Sequence, residues 1–471
     1  MTAGAGFDAA SRRALADVRL QSALARFGAG FAERRAAARA AYGEAAFEAL
    51  RAAGRAIRDR ALENLSGWLL CFEQEAKRRG TVVLWAEDHA QLCRHVVEIA
   101  RRHGVRAAVK SKSMVSEEAG LNAALEAAGV RALETDLGEY ILQLAAEPPS
   151  HIIAPAIHKT RADVARLFAQ AHGRSPGEDP ARLTREAREV LRPQFLAAQM
   201  GITGANFLVA ESGSVVLVTN EGNGRLVTTL PPVHVAIAGI EKVIPTLEDF
   251  ATLNRLLARS ATGQAISNYV SILTGPRAAQ DCDGPEHMYV ILVDAGRTRF
   301  LDHALGEMLR CIRCGACMNH CPVYRVTGGH AYGWVYPGPM GSVLTPVLTG
   351  FRRGADLPQA ATLCKACEVV CPVQIPLAEL LRRLREHTFE ADLRPARERL
   401  ALRLWAFLAL RPRLYGLAAM LLARTLRLAA RGRDAIARLP FDPGWTQERD
   451  FPVPEGRTFR ELWRAKEKRR R

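Results

Sequence analysis

Seven of the ten cysteines lie in one stretch, from Cys311 to Cys371, and their spacing is that of thiolate ligands. The first run reads Cys311-Ile-Arg-Cys314-Gly-Ala-Cys317-Met-Asn-His-Cys321-Pro322, and the second reads Cys364-Lys-Ala-Cys367-Glu-Val-Val-Cys371-Pro372. The order C-x2-C-x2-C-x3-C-P is that of ferredoxin-type [4Fe–4S] ligation, in which three thiolates on one tight loop reach three irons of a cubane. Each closing proline fixes φ, removes an amide donor and turns the chain away. Paired C-x2-C motifs also suit zinc. Zinc, however, gives no reason for the triple spacing or for two Cys-Pro endings. A disulfide scaffold would not gather its cysteines this way in a chain with no visible secretory signal. Iron–sulfur chemistry is the expectation.

In two-cluster ferredoxins the fourth cysteine of such a run ligates the other cluster. By that rule cluster one takes Cys311, Cys314, Cys317 and Cys371, and cluster two takes Cys321, Cys364 and Cys367. The second set is one thiolate short, because a full run would begin at Ala361. It is expected as a [3Fe–4S] centre, an open-site [4Fe–4S] centre, or one completed by a non-Cys ligand or a partner. The long, turn-rich link between Cys321 and Cys364 suits an α-helical two-cluster ferredoxin domain, with a helix predicted over 343–353. His320 and His330 stand near the cysteines, either as groups that tune or ligate the clusters or as polar residues at the domain surface.

Something must position these loops. Residues 1–80 carry helical spacing and little turn chemistry, which predicts two or three helices. Strands are expected at 81–85, 105–110 and 130–134, alternating with helices over 88–103 and 116–128. Such alternation implies βαβ units and a mainly parallel sheet. A short strand over 151–154 and helices over 159–172 and 181–200 follow. Strands over 206–210, 214–219, 225–229 and 233–238 then read as a meander. The fold class is α/β plus α, a mixed-sheet α/β domain followed by the cysteine domain. The boundaries are 1–60 for N-terminal helices, 61–300 for the α/β domain, 301–390 for the two-cluster domain and 391–471 for a basic helical region.

Polar clusters fall where an open sheet gathers ligands, beyond the carboxyl ends of its strands. They are Lys110-Ser-Lys-Ser-Met114, Glu134-Thr-Asp-Leu-Gly-Glu139, His158-Lys159 and Glu211-Ser-Gly-Ser214, and they are expected to share one crevice. Their plain alternative is helix caps and turns. No G-x-G-x-x-G or G-x4-G-K-[ST] occurs, which removes the usual nucleotide loops. That weighs against a self-contained dehydrogenase.

The chain has 471 residues with a net charge of +16. Residues 394–471 alone carry +12, so the basic character belongs to the tail and a nucleic-acid footprint across the fold is not expected. Arginine outnumbers lysine 57 to 8, a skew read as coding bias. The apolar stretch 404–430 is interrupted by Arg411, Arg413, Arg424 and Arg427, short of the roughly 18–20 apolar residues of a spanning helix. Peripheral contact with a membrane or a partner stays open for it. The expected location is the cytoplasm.

The chain resembles the lactate utilization protein B family, the iron–sulfur subunit of a bacterial L-lactate oxidation system. The residues that carry the resemblance are Val109-Lys-Ser-Lys-Ser-Met114, Glu134-Thr-Asp-Leu-Gly-Glu-Tyr-Ile141, Pro149-Ser-His-Ile-Ile-Ala-Pro-Ala-Ile-His-Lys-Thr160, Glu211-Ser-Gly-Ser214 and the seven-cysteine pattern with its missing eighth. The tail adds Gly444-Trp-Thr, Arg449-Asp-Phe-Pro and Phe459-Arg-Glu-Leu-Trp463. The resemblance implies a LUD-type α/β domain of the sugar-isomerase and CoA-transferase kind. It further implies electron transfer during oxidation of L-lactate to pyruvate, with companion A and C proteins and an electron acceptor it does not name. Two other classes remain: an acyl- or CoA-transferring enzyme with Glu211 as nucleophile and structural clusters, and a redox-sensing regulator that docks through the basic tail.

Overall fold

A computed structural model describes residues 6–301, 304–439, 446 and 449–470. Four helices open the chain: α1 (Phe7–Ala16), α2 (Val18–Tyr42), α3 (Glu44–Glu63) and α4 (Leu65–Arg78). Their joints explain why two or three were expected. Asp17 caps α2 through the Arg19 and Leu20 amides, and Gly43 at φ 91° breaks one long helical pattern into α2 and α3.

The α/β part runs β1 (Val82–Ala86), α5 (His89–Arg102), β2 (Ala107–Lys110), α6 (Met114–Ala119), α7 (Leu121–Ala127), β3 (Arg131–Glu134), α8 (Leu137–Ala145), α9 (Arg161–His172) and α10 (Pro180–Ala197). It continues through β4 (Met200–Gly204), β5 (Phe207–Val209), β6 (Ser214–Thr219), α11 (Asn223–Thr229), β7 (Val233–Gly239), β8 (Val243–Ile244), α12 (Leu247–Ala261), β9 (Tyr269–Leu273) and β10 (His287–Val293). Six strands form an all-parallel sheet in the order β1-β10-β7-β4-β2-β3. Every residue of β7 is buried, so Val-His-Val-Ala-Ile-Ala-Gly carries no polar alternation, as expected of a strand covered on both faces. A second sheet, β8-β5-β6-β9, pairs β5 with β6 and β6 with β9 antiparallel.

Four sequence expectations are corrected. The segment 225–229 is not a strand but lies in α11, whose Val227 carbonyl presses on Gly201 so closely that a Cβ there would sit 2.0 Å away. The β-branched run Val-Thr-Thr misleads because packing overrides propensity. The helix over 181–200 ends at Ala197, and Met200 opens β4. The helix over 116–128 is two helices, broken at Gly120 with φ 65°. The segment 151–154 is a turn. The His151 Nδ1 accepts from the Ile153 and Ala154 amides at 3.0 and 3.1 Å, and those donors are therefore lost to any ladder.

The cysteine region contains α13 (Ala316–Asn319), α14 (Tyr324–Thr327), α15 (Gly338–Thr349), α16 (Ala366–Val370) and α17 (Leu377–Glu390). The helix expected over 343–353 starts earlier, with Pro339 in its first turn, and stops before Gly350. Residues up to Thr388 form one compact unit. Its largest apolar core is continuous from Phe207, Ile244 and Leu253 to Cys314, Tyr336 and Leu380.

The second unit, from Phe389 onward, holds α18 (Ala396–Ala409), α19 (Pro412–Ala429) and α20 (Phe459–Arg470). Among the described residues no single helix is long and apolar enough to cross a membrane. The bent pair α18 and α19 passes such a test only jointly. The tail motif around Gly444-Trp445 lies outside the described residues.

Candidate metal centre and the crevice beside it

The two cysteine loops share one backbone signature. Arg313 and Gly315 flank Cys314 at φ 58° and 74°, and Leu363 and Lys365 flank Cys364 at φ 56° and 65°. In each loop a short helix follows at once, α13 in the first and α16 in the second. Ala361 therefore occupies the place that Cys311 holds in the first loop. Left-handed φ costs a non-glycine residue about 1–2 kcal/mol. Three such residues persist here, as at other sites where surrounding structure dictates the backbone.

Cys311, Cys314, Cys317 and Cys371 line one small cavity together with Met340 and Ile375. Cys321, Cys364 and Cys367 are electrostatic neighbours of one another, and Cys317 feels Cys367 as well, so the two groups adjoin. Five of the seven thiols are buried, Cys311 is half-buried and Cys364 is exposed. Amides point at the sulfurs: Arg313 N–H to Cys311 at 3.4 Å, Tyr324 N–H to Cys321 at 3.5 Å, and Ile375 N–H to Cys371 at 3.3 Å. Burial, with repulsion from neighbouring thiolates, pushes Cys314 and Cys367 up to about 12 and Cys371 up to about 11. A crowded, desolvated thiol set of this kind suits a cationic centre that binds it as thiolates. The donor set fits iron–sulfur clusters.

Arginines of the N-terminal helices reach these loops, so these members of the arginine excess have a structural task that coding bias does not explain. Arg35 of α2 donates to the Val370 carbonyl at 2.9 Å. Arg51 of α3 donates to the Cys371 carbonyl at 2.8 and 3.0 Å. Arg58, two turns further along the same face of α3, is fully buried and donates to the carbonyls of Val243, Leu309 and Glu241. The i, i+7 spacing of Arg51 and Arg58 was the available signal.

A buried ionic chain then ties the first loop to the sheet. Arg297, just after β10, pairs with Glu118 of α6 at 2.7 Å and with Glu241 at 2.8 Å. Glu241 also accepts from Arg313, between Cys311 and Cys314, at 3.3 Å. Burial alone would raise the Glu241 carboxyl, but Arg297 and Arg313 hold it at about 2. The Tyr336 hydroxyl donates to Glu118 from the link between the loops.

Beside this chain lies a crevice of about 380 Å³ at the carboxyl ends of β2, β4 and β7. Ser111, Lys112, Ser113, Asp136, Lys242 and Arg313 line it. Of the four polar clusters expected to meet there, two contribute. Lys110 itself turns away into a buried knot with Glu134 and Asn122. His158 and Lys159 pair with Glu147 elsewhere. Glu211 accepts from the Leu247 amide at 2.7 Å, and Gly213 packs on the backbone of α4, so this turn is structural and Glu211 does not line the crevice. His320 and His330 bond carbonyls, those of Ala316 and Pro148, which is the surface-polar alternative. Lys242 was missed; it sits in a single turn after β7 with no motif around it.

Three families match consecutive parts of the chain: the LUD domain over residues 71–293, the 4Fe–4S dicluster domain over 307–375, and the C-terminal region of lactate utilisation protein B over 388–468. A "Lactate utilization protein B" of Geobacillus sp. strain WCH70 is 43% identical over 90% of this chain and 89% of its own length. The chain belongs to the lactate utilization protein B family. An "Uncharacterized electron transport protein YkgF" of Escherichia coli K12 is 43% identical to this family member over 86% of the chain and 85% of its own length. A crystal structure of a DUF162 family protein from Deinococcus radiodurans aligns with 49% of the chain and 98% of its own at 14% identity, with a TM-score of 0.29.

Proposed function

We propose that the chain relays electrons during oxidation of L-lactate to pyruvate, as the iron–sulfur subunit beside companion lactate utilization A and C proteins. The observation that carries this is the gathering of seven cysteines into two adjoining groups within a domain that matches the 4Fe–4S dicluster family. In this reading Cys311, Cys314, Cys317 and Cys371 hold a [4Fe–4S] cluster. Cys321, Cys364 and Cys367 hold a second centre, either a three-thiolate [4Fe–4S] or a [3Fe–4S] cluster. Such clusters supply one-electron redox chemistry.

The residues do the rest. Buried Cys314 and Cys371 keep water from the first site, and amide donors to sulfur with nearby Arg51 and Arg58 favour its negative charge. Exposed Cys364 leaves the second site accessible to a partner. Oxidising a 2-hydroxy acid removes two electrons and two protons, and this chain carries no familiar flavin or nicotinamide loop, so a companion or a site of another kind accepts the pair. The sugar-isomerase and CoA-transferase type goes with this reading, supported by an all-parallel central sheet with a crevice at its carboxyl ends. In the second unit, exposed Leu404, Trp405, Phe407, Leu417 and Leu421 beside arginines fit peripheral contact with an anionic membrane surface.

Anaerobic protein is expected to hold about seven to eight irons with matching sulfide. It should reduce dye with L-lactate only when both companions are added. About two zinc ions per chain without visible absorption, or full turnover by the chain alone, would sink the proposal.

A further inference from the structure

The crevice at the ends of β2, β4 and β7 is lined by a lysine with no bonded partner among the described residues. Lys242 is 7% exposed and makes no hydrogen bond or ion pair with any described residue. Its neighbour Glu241 is committed to Arg297 and Arg313. The Lys242 ammonium faces the crevice, with Glu241 and the Cys311 sulfur as its anionic neighbours and no direct partner on either. A largely buried cation held at the wall of a crevice without a bonded partner is placed to meet an anion from outside.

The other lining groups lean the same way. The Ser111 hydroxyl has no side-chain partner among the described residues, and the Asn206 amide oxygen takes the Val218 N–H, leaving its NH2 free to donate. The acids that line the crevice are occupied: Asp136 caps α8 through the Glu139 amide and pairs with Lys112 at 3.7 Å, and Glu221 accepts the Leu137 amide. What remains is a set of donors around one cation, backed by Ile152, Ile153 and Ile237.

We propose that the crevice binds a small organic acid, its carboxylate on Lys242 and its hydroxyl or keto oxygen toward Ser111 and Asn206. The apolar wall selects an organic acid over an inorganic anion. The proposal deepens the electron-transfer reading and rests on it for the choice of a 2-hydroxy or 2-oxo acid. Because Arg313 belongs both to this crevice and to the Cys311–Cys314 loop, a ligand here lies next to the first cysteine group.

The test is calorimetric titration of anaerobic, cluster-loaded protein with pyruvate, L-lactate and inorganic phosphate. Saturable binding of pyruvate or L-lactate is expected, weakened about tenfold or more in Lys242→Met, as for loss of a charged hydrogen bond. Removing an unpaired buried charge should leave the melting temperature of Lys242→Met equal or higher. Ser111→Ala is expected to weaken binding less and serves if Lys242→Met misfolds.

Four results overturn the proposal: no carboxylate binding, equal binding by phosphate, unchanged affinity in both variants, or a Lys242→Met protein that is less stable and shifts only the electron paramagnetic resonance signal of the first cluster. Irons are counted in the same samples. Parent protein that binds the acid but lacks clusters would sink the relay and leave the crevice standing.

Discussion

The two cysteine loops are the same piece of backbone placed in different surroundings. Both put left-handed residues on either side of one cysteine, yet the first is sealed by Arg58 and the Arg297–Glu241–Arg313 chain, while Arg51 holds only the Cys371 end of the second. The second starts at Ala361 and leaves Cys364 exposed. Glycine occupies the position after the middle cysteine in the first loop because a Cβ on Gly315 would lie 3.1 Å from Ile153 and 3.2 Å from His151. In the second loop a lysine takes the same φ. Loop conformation follows the spacing of ligands, whereas glycine is demanded by what packs against the loop. Burial, not spacing, separates the two sites.

Four experiments break or sharpen that contrast, from the largest expected effect down. Changing Cys371 to Ser should remove the resonance signal that Cys314→Ser removes and cost about half of the iron. Cys321→Ser should instead act with Cys364→Ser and Cys367→Ser. If Cys371 groups with Cys364, the crossed ligation is wrong.

Arg297→Met leaves Glu118 and Glu241 buried without their common partner, and about 3 kcal/mol of stability should go with it. Urea midpoints measure that loss, and the first cluster's signal should change while the second keeps its own. A loss below about 1 kcal/mol would mean that the ionic chain does not anchor the first loop.

Acid should act on two buried histidines, His151 against Gly315 of the first loop and His234 against Thr203 in the central sheet. Burial lowers His151 to about 3 and His234 to about 4, against 6.5 for an ordinary histidine. Protons therefore bind the unfolded chain first: stability is complete above pH 6.5 and falls as pH drops toward 4. Each histidine contributes roughly 1.4 kcal/mol per pH unit in that window. Denaturation midpoints between pH 7 and pH 5 give the slope, and His234→Gln should reduce it by one histidine's share.

The smallest effect separates the glycine positions. Gly315→Ala should cost about 1–2 kcal/mol, because it adds left-handed strain and a close contact. Lys365→Gly should stay within about 1 kcal/mol of the parent, since relief of strain is offset by a looser unfolded chain. Equal losses in thermal melts would erase the distinction drawn here.

Much of the architecture was legible because it repeats. The alternation from Val82 to Glu134 is periodic, and the observed strands lie within one or two residues of the expected ones. The segments that misled carry long-range information. Met200–Gly204 reads as the end of a helix until a sheet claims it, and Arg225–Thr229 looks like a strand until β4 needs a helix over Gly201. Ligand spacing made the cysteines plain. Lys242 and Arg313 have no spacing rule, since their roles come from elements far apart in the chain that meet only on folding. The same holds for Pro149-Ser-His151: a resemblance picked it out, but its task appears only in three dimensions, where Ser150 accepts the Tyr324 hydroxyl and the Gly329 amide.

The arginines of α2 and α3 also set an order of assembly. Arg35 and Arg51 close on carbonyls more than 300 residues downstream, at Val370 and Cys371. The ribosome thus releases the clamp long before it releases what is clamped. During synthesis those first helices wait, apolar faces uncovered, and contacts of such separation form late and slowly. The part of the protein that is made first is therefore among the last to find its partners, and the backbone around Cys371 gains its Arg51 contacts only when the two ends of this unit meet.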